Sequence, residues 1–173
     1  MDFFEVIAKR KAIRKYLPGK TIPEKDIAKI LETAGLAPTA RHLQSYKVFC
    51  VKSPANIGKV FQAYYNQRTD FIKNAALILV FCTDPEQAIA SFGERGKDLY
   101  ALQDATIAAS FSILAATALG YATCWVGNFD EQKVKEILQT ILMPVATIII
   151  GYGDEDPQRP ARKPLSDLVK YCS

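Results

Sequence analysis

Arg10, Lys11 and Arg14, with Lys9 just ahead of them, form a cationic cluster in an apolar frame of Phe3, Phe4, Val6, Ile7 and Ile13. A guanidinium is a planar fork of donors suited to phosphate, and two arginines one helical turn apart can converge on one anion. The frame also has the spacing of a short helix lying on a core and ending near Tyr16–Gly19. Its cations would then crowd the last turn, where the helix macrodipole favours positive charge. The segment therefore reads either as an anion site or as helix capping with solvated charge.

Three further segments carry possible chemistry. Ala37–Tyr46 is a polar loop ahead of a strand, with a hydroxyl (Thr39), an imidazole (His42) and an amide (Gln44) close together. Thr39 and Gln44 could equally satisfy turn backbone groups. Gly120–Phe129 brackets the only tryptophan, Trp125, between glycines, so the backbone could approach a planar ligand closely. The alternative there is a buried strand with Trp125 as core filler. Arg159–Pro164 sets cations on a proline-stiffened arm, which either reaches back to an anion or is a solvated tail.

The elements that must position these groups follow from periodicity and punctuation. Pro23–Leu36 reads as a helix: Pro23 suits its first turn, Glu24 and Asp26 its positive end, and Ile27, Ile30, Leu31 and Ala34 form one stripe. Tyr46–Val51 and Ala75–Cys82 read as strands, with a helix at Ala55–Arg68 between them. Leu99–Leu119 reads as a helix apolar nearly all round and rich in alanine, hence buried. Its small side chains would admit a second helix, including one from another subunit. Tyr121–Val126 and Val145–Ile150 read as further strands flanking an amphipathic helix at Asp130–Thr140. Asp154–Pro164, with three prolines, reads as an extended arm. Helices and strands mix without regular alternation, which indicates an α+β fold.

The 173 residues suit one domain, 1–173, able to remove roughly 70% of its unfolded surface from water. A net charge of +4 with both signs interspersed, and no repeated aromatic–basic pattern, speak against nucleic acid. The longest wholly apolar run, Ala75–Cys82, is far short of the ~20 residues of a membrane span, and Met1-Asp2 opens no secretory signal. Cys50, Cys82 and Cys124 sit in apolar runs and, with Cys172, read as reduced thiols of a cytoplasmic protein, the first three buried. One histidine and no clustered ligands suggest no metal.

Six motifs in order resemble the nitroreductase family of flavin-dependent oxidoreductases. They are R-K-A-I-R at Arg10, A-P-T-x-x-H-x-Q-x-Y at Ala37, D-A-T-I-A-A at Asp104, L-G-Y-A-T-C-W-V-G at Leu119, I-I-I-G-Y-G at Ile148, and R-x-x-R-K-P at Arg159. Each is weak alone, and together they span about Phe4 to Val169. The family loop usually carries Asn where His42 stands and Pro-Trp where Ser45-Tyr46 stand, and Ala12 replaces a common Ser. The chain is short for the family, with little length for an extra lid.

This resemblance implies a central, mainly antiparallel sheet flanked by helices, an intertwined homodimer, and FMN bound between subunits. Arg10 and Arg162 match phosphate-binding arginines, and Ala12 a position near the ribityl chain. Lys11 lies between them in the same basic motif. Arg14 matches a basic residue near the ribityl or ring edge. It is the first choice for stabilising the reduced flavin, with Arg68 second. Pro38, Thr39 and His42 match a loop covering the partner's ring, and Cys124, Trp125, Val126 and Gly127 match the segment passing N5. The implied activity is reduction of nitroaromatics, quinones or similar small acceptors by NADH or NADPH in ping-pong fashion, with no obligatory catalytic side chain. The implied alternatives are a dehalogenase- or azoline-oxidase-type flavoenzyme on the same fold, and a non-catalytic flavin-binding dimer.

Overall fold

A computed structural model of the chain describes residues 1–65 and 74–172. Its centre is an antiparallel sheet in the order β1-β2-β4-β3, built from β1 (Tyr46–Val51), β2 (Leu77–Thr83), β3 (Ala122–Val126) and β4 (Met143–Gly151). The continuous apolar runs read as strands because the sheet is covered on both faces. Leu77, Leu79 and Phe81 of β2 point into one layer, and Ile78, Val80 and Cys82 into the other. The first layer is closed by α2 (Glu24–Gly35) and α5 (Ala101–Ala118), the second by α3 (Pro54–Phe61) and α6 (Glu131–Leu138). Pro144, which cannot donate to a ladder, pairs with Cys82 where the β2–β4 register shifts by a bulge. The α+β class and the flanked antiparallel sheet are as expected.

Several boundaries differ from the sequence reading, each because a distant contact wins. Helix α1 (Phe3–Lys9) starts at an Asp2/Glu5 capping box and stops at Arg10, whose ψ of 121° leaves the helix. It does not continue to Tyr16. Beyond it the chain runs extended beside β3: Ala12 pairs with Thr123, Ile13 N–H donates to Thr123 C=O at 2.9 Å, and Tyr16 pairs with Gly153. Arg10 and Arg14 are thus not one helical turn apart, and only Lys9 lies in the last turn of α1. Helix α3 ends at Phe61 because Ala63 C=O accepts Asp130 N–H and Tyr64 bridges Phe129. The expected continuation to Arg68 enters residues outside those described.

A helix absent from the sequence reading, α4 (Glu86–Phe92), follows β2, and a π-helical turn (Gly96–Tyr100) leads directly into α5. Helix 96–118 is long and apolar enough to cross a membrane by length and composition, which the run-length argument did not anticipate. Here it packs against α2 and the sheet, with Asp104, Ser112 and Thr117 among its buried residues. After β4 the chain has no regular structure until α7 (Leu165–Leu168), as the prolines imply.

Cys82 and Cys124 are buried, but Cys50 is exposed, contrary to expectation. It lies on edge strand β1, close enough to Lys52 and Glu24 to feel their charges, where α2 begins and cover ends. Burial pushes the Cys82 thiol up to about 12 and also raises those of Cys124 and Cys50, so solvent access, not acidity, separates exposed Cys50 from the other two. Iodoacetamide at pH 8 should therefore label Cys50 and Cys172 and spare Cys82 and Cys124 until the protein is denatured. Peptide mass spectrometry checks this, and native labelling of Cys82 would contradict the buried placement.

Candidate functional site

Arg10 leaves α1 at a cavity of about 400 Å³, bounded by Lys9–Lys11, Ile13, Gly120–Thr123, Gly153 and Arg159, with the carboxylates of Glu155 and Asp156, both engaged by neighbours, also in its wall. The extended run after α1 forms one wall and the start of β3 the other, so their edge pairing creates the cleft. Burial pulls the Arg10 pKa below its ordinary value, and the nearby guanidinia of Arg159 and Arg162 pull it the same way. Three guanidinia therefore share one region, brought together from the two ends of the chain. Thr123 is 2% exposed, lines this cavity, and its hydroxyl has no hydrogen-bond partner. A buried orphan hydroxyl is costly, and beside clustered guanidinia it suits a polar, anionic guest.

The arm after β4 is pinned over this cleft. Arg159 Nη2 donates to the carbonyls of Ile7 (3.2 Å), Ala8 (2.6 Å) and Arg10, capping the C-terminal end of α1. Lys11 pairs with Asp156 and donates to Pro157 C=O at 3.0 Å. The Glu155 carboxylate accepts the backbone N–H groups of Arg14 and Lys15. Lys11 therefore ties down the arm, and Arg159, not a local side chain, satisfies the helix end. The sequence singles out Arg159 only as part of an arm, since its partners are carbonyls early in the chain.

The β3 segment divides. Ala122 and Thr123 face the cavity, Cys124 packs into the core layer with Ile13 and Tyr16, and Trp125, 38% exposed, stands outward. Val126 is half-buried and Gly127 exposed. Residues 124–127 do not line the Arg10 cavity. Ala12 is half-buried beside Thr123, and Arg14 is exposed but close enough to act on the Cys124 thiol.

Pro38, Thr39 and His42 are not at this cavity within one chain. Their loop sits at the other end of α5, and the 13 residues from Asp104 to Thr117 span about 20 Å at 1.5 Å per residue. Asp104, 2% exposed, accepts Ala40 N–H on one carboxylate oxygen (3.0 Å) and Ser45 N–H on the other (3.2 Å). Inside this clamp Arg41, His42 and Gln44 all have left-handed backbones, with φ of 48°, 59° and 47°. Thr39 Oγ1 accepts Gln44 N–H, and the Gln44 amide donates to His42 C=O. Thr39 and Gln44 thus do satisfy turn backbone, and the strain they help hold is of the kind that gathers at functional sites. A lone carboxylate in a helix apolar on all sides is the sequence signal for the clamp.

Comparison with known proteins fits this geometry. The Nitroreductase family profile matches residues 7–67 and 59–152. A nitroreductase family protein of Clostridium novyi NT is 32% identical, with a TM-score of 0.80 over 92% of this chain and 89% of its own. An FMN-dependent nitroreductase of Clostridium difficile R20291 is 26% identical, with a TM-score of 0.77 over 91% of each chain. An NADH dehydrogenase of Thermus thermophilus is 25% identical across 99% of this chain and 96% of its own. With the profile matching well over half of its length, the chain belongs to the nitroreductase family of oxidoreductases.

Proposed function

We propose that the protein is a single-domain, homodimeric FMN-dependent oxidoreductase. It takes reducing equivalents from NADH or NADPH and passes them, in ping-pong fashion, to small acceptors such as nitroaromatics or quinones. The observation that carries this reading is the half-buried Arg10, held beside Arg159 and Arg162 at a cavity with an orphan Thr123 hydroxyl. Mutually repelling guanidinia at a partly desolvated site are relieved by a bound anion, and a phosphate ester takes the fork of each.

FMN, when bound, supplies hydride acceptance and electron transfer; the protein supplies orientation and charge. Arg10 and Arg162 would hold the phosphate, Arg159 would fix the Arg10 backbone, and Thr123 would donate to a polar cofactor oxygen. Ala12 would leave room beside the ribityl chain, and Val126 and Gly127 would offer backbone to the ring. Cys124 and Trp125, which do not line the Arg10 cavity, would contribute main chain where the ring extends beyond it. Arg14 would stabilise negative charge on the reduced cofactor; Arg68, the second choice for that role, lies outside the described residues. The Pro38–Gln44 loop, remote within one chain, would act across the dimer. Phe3, Phe4, Leu36, Leu165, Leu168 and Tyr171 are all exposed apolar side chains that a second copy would cover.

The test uses purified holoprotein. Sedimentation should give a dimer, the released cofactor should be FMN, and NADH or NADPH should bleach it anaerobically, with colour restored by a nitroaromatic or a quinone. Arg10→Ala and Arg162→Ala should each weaken FMN binding by about one to two decades, since a charge-assisted bond contributes roughly 1.5–3 kcal/mol. Colour that survives both nicotinamides would favour a non-catalytic flavin-binding dimer. Unchanged FMN affinity in both variants would remove the phosphate assignment.

A further inference from the structure

We propose that Arg41, Phe92, Tyr100 and Arg95 form a recognition site for an anionic group carried on a planar ring. Its role in choosing substrates for the redox cleft rests on the function proposed above; the binding site itself does not. The four side chains form one continuous row. The Arg41 guanidinium carbon lies 5.7 Å from the Phe92 ring centre, Phe92 meets Tyr100 edge to face at 4.8 Å, and the Arg95 guanidinium carbon lies 5.4 Å from the Tyr100 ring centre. Arg95 Nε also donates to Tyr100 Oη at 3.0 Å.

Both guanidinia lie within cation–π range of a ring, and with Arg95 Nε–H given to Tyr100 Oη the Nη donors of both arginines are left for a ligand. Among the described residues neither arginine is paired with a carboxylate, and neighbouring Glu94 is matched with Lys97 at 3.5 Å. The row thus holds two uncompensated cations against two rings. Its geometry is imposed: Arg41 keeps a left-handed backbone (φ 48°) in the loop that Asp104 clamps at both ends, while Phe92 ends α4 and Tyr100 ends the π-helical turn. A merely solvated arginine needs no such backbone. Rings to stack against and forks for an oxyanion together match a planar ring bearing a phosphate or carboxylate.

Two substrates bring a planar ring and an oxyanion together: NADPH, whose adenine is joined through ribose to the 2′-phosphate, and an aromatic carboxylate acceptor, whose anion is on the ring itself. The site lies one residue from His42, on the loop that would cover the partner's cofactor, so either could be read there. The experiment titrates holoprotein and the Arg41→Gln/Arg95→Gln variant calorimetrically with two probe pairs. One is adenosine 2′,5′-bisphosphate against AMP; the other is 4-nitrobenzoate against 4-nitrobenzamide. The parent should prefer the probe with the added anion in at least one pair by about tenfold, as for one charge-assisted contact. The variant should lose that preference while the other probe of the pair changes less than twofold and the flavin spectrum is unaltered. Loss confined to the bisphosphate assigns the site to NADPH, and loss confined to nitrobenzoate assigns it to the acceptor. A parent without preference, or a variant that keeps it, overturns the proposal. Failure of both NADH and NADPH to bleach the holoprotein would retire the oxidoreductase reading and leave these titrations to decide the site.

Discussion

Asp104→Ala should destabilise the protein by about 3 kcal/mol or more, because it removes one acceptor from two amides at once. The carboxylate is 2% exposed and takes the N–H groups of Ala40 and Ser45 on separate oxygens. Bonds to a charged acceptor contribute roughly 1.5–3 kcal/mol each, and a buried amide left without a partner adds its own desolvation cost. Ser45 is buried, so water cannot readily replace the lost oxygen there. The loop between these amides carries three non-glycine residues in left-handed conformations, each costing of order 1 kcal/mol unless the surroundings hold it. Released, Arg41, His42 and Gln44 should relax. Asp104→Asn, which keeps one carbonyl acceptor, should lose roughly half as much. Urea midpoints give the stability and amide exchange at Ala40 and Ser45 gives the local release. A midpoint equal to the parent's in Asp104→Ala would show that the clamp does not hold the loop.

The parts of the fold legible in the sequence are those fixed by local pattern. β2 and β4 are unbroken apolar runs because both faces of the sheet are covered, and α2 announces itself by one apolar stripe with acidic residues in its first turn. The end of α1 was not legible. Its frame continues at helical spacing through Ile13, but Ile13 is drawn out by a hydrogen bond to Thr123, far along the chain. Helix α4 has seven residues, too few for periodicity to declare, with only Pro85 and Glu86 to mark its start. At the candidate site, Arg10 and the arm bearing Arg162 stood out as cations in unusual settings. Their proximity, and the part played by Arg159, depend on the arm returning to α1, which no local spacing encodes. The loop was recognisable by residue type, whereas its clamp and its left-handed backbones depend on Asp104, set in a helix that is otherwise read as apolar packing.

Gly96→Ala should be the most damaging single-methyl change on this face of the molecule, at about 3 kcal/mol, the upper end of overpacking costs. A Cβ at Gly96 would lie 2.0 Å from the carbonyl oxygen and 2.4 Å from the carbonyl carbon of Ala88. Those atoms belong to the backbone of α4, so no rotamer change relieves the overlap; the helix itself must move. Gly96 opens the π-helical turn and sits immediately after Arg95, so the displacement passes to the contact between Phe92 and Tyr100. Gly58→Ala is the internal control. Gly58 lies inside α3 with no atom within 4 Å of a built Cβ, and alanine there should stabilise by roughly 0.5–1 kcal/mol through helix propensity. For a chain of this size ~1 kcal/mol moves Tm by roughly 2–4 °C, so Gly96→Ala should melt about 6–12 °C below the parent and Gly58→Ala slightly above it. The two substitutions add the same atom to a helical backbone and differ only in what that atom meets. If Gly96→Ala melts within about 2 °C of the parent, the close approach of α4 to the π-helical turn does not exist in solution.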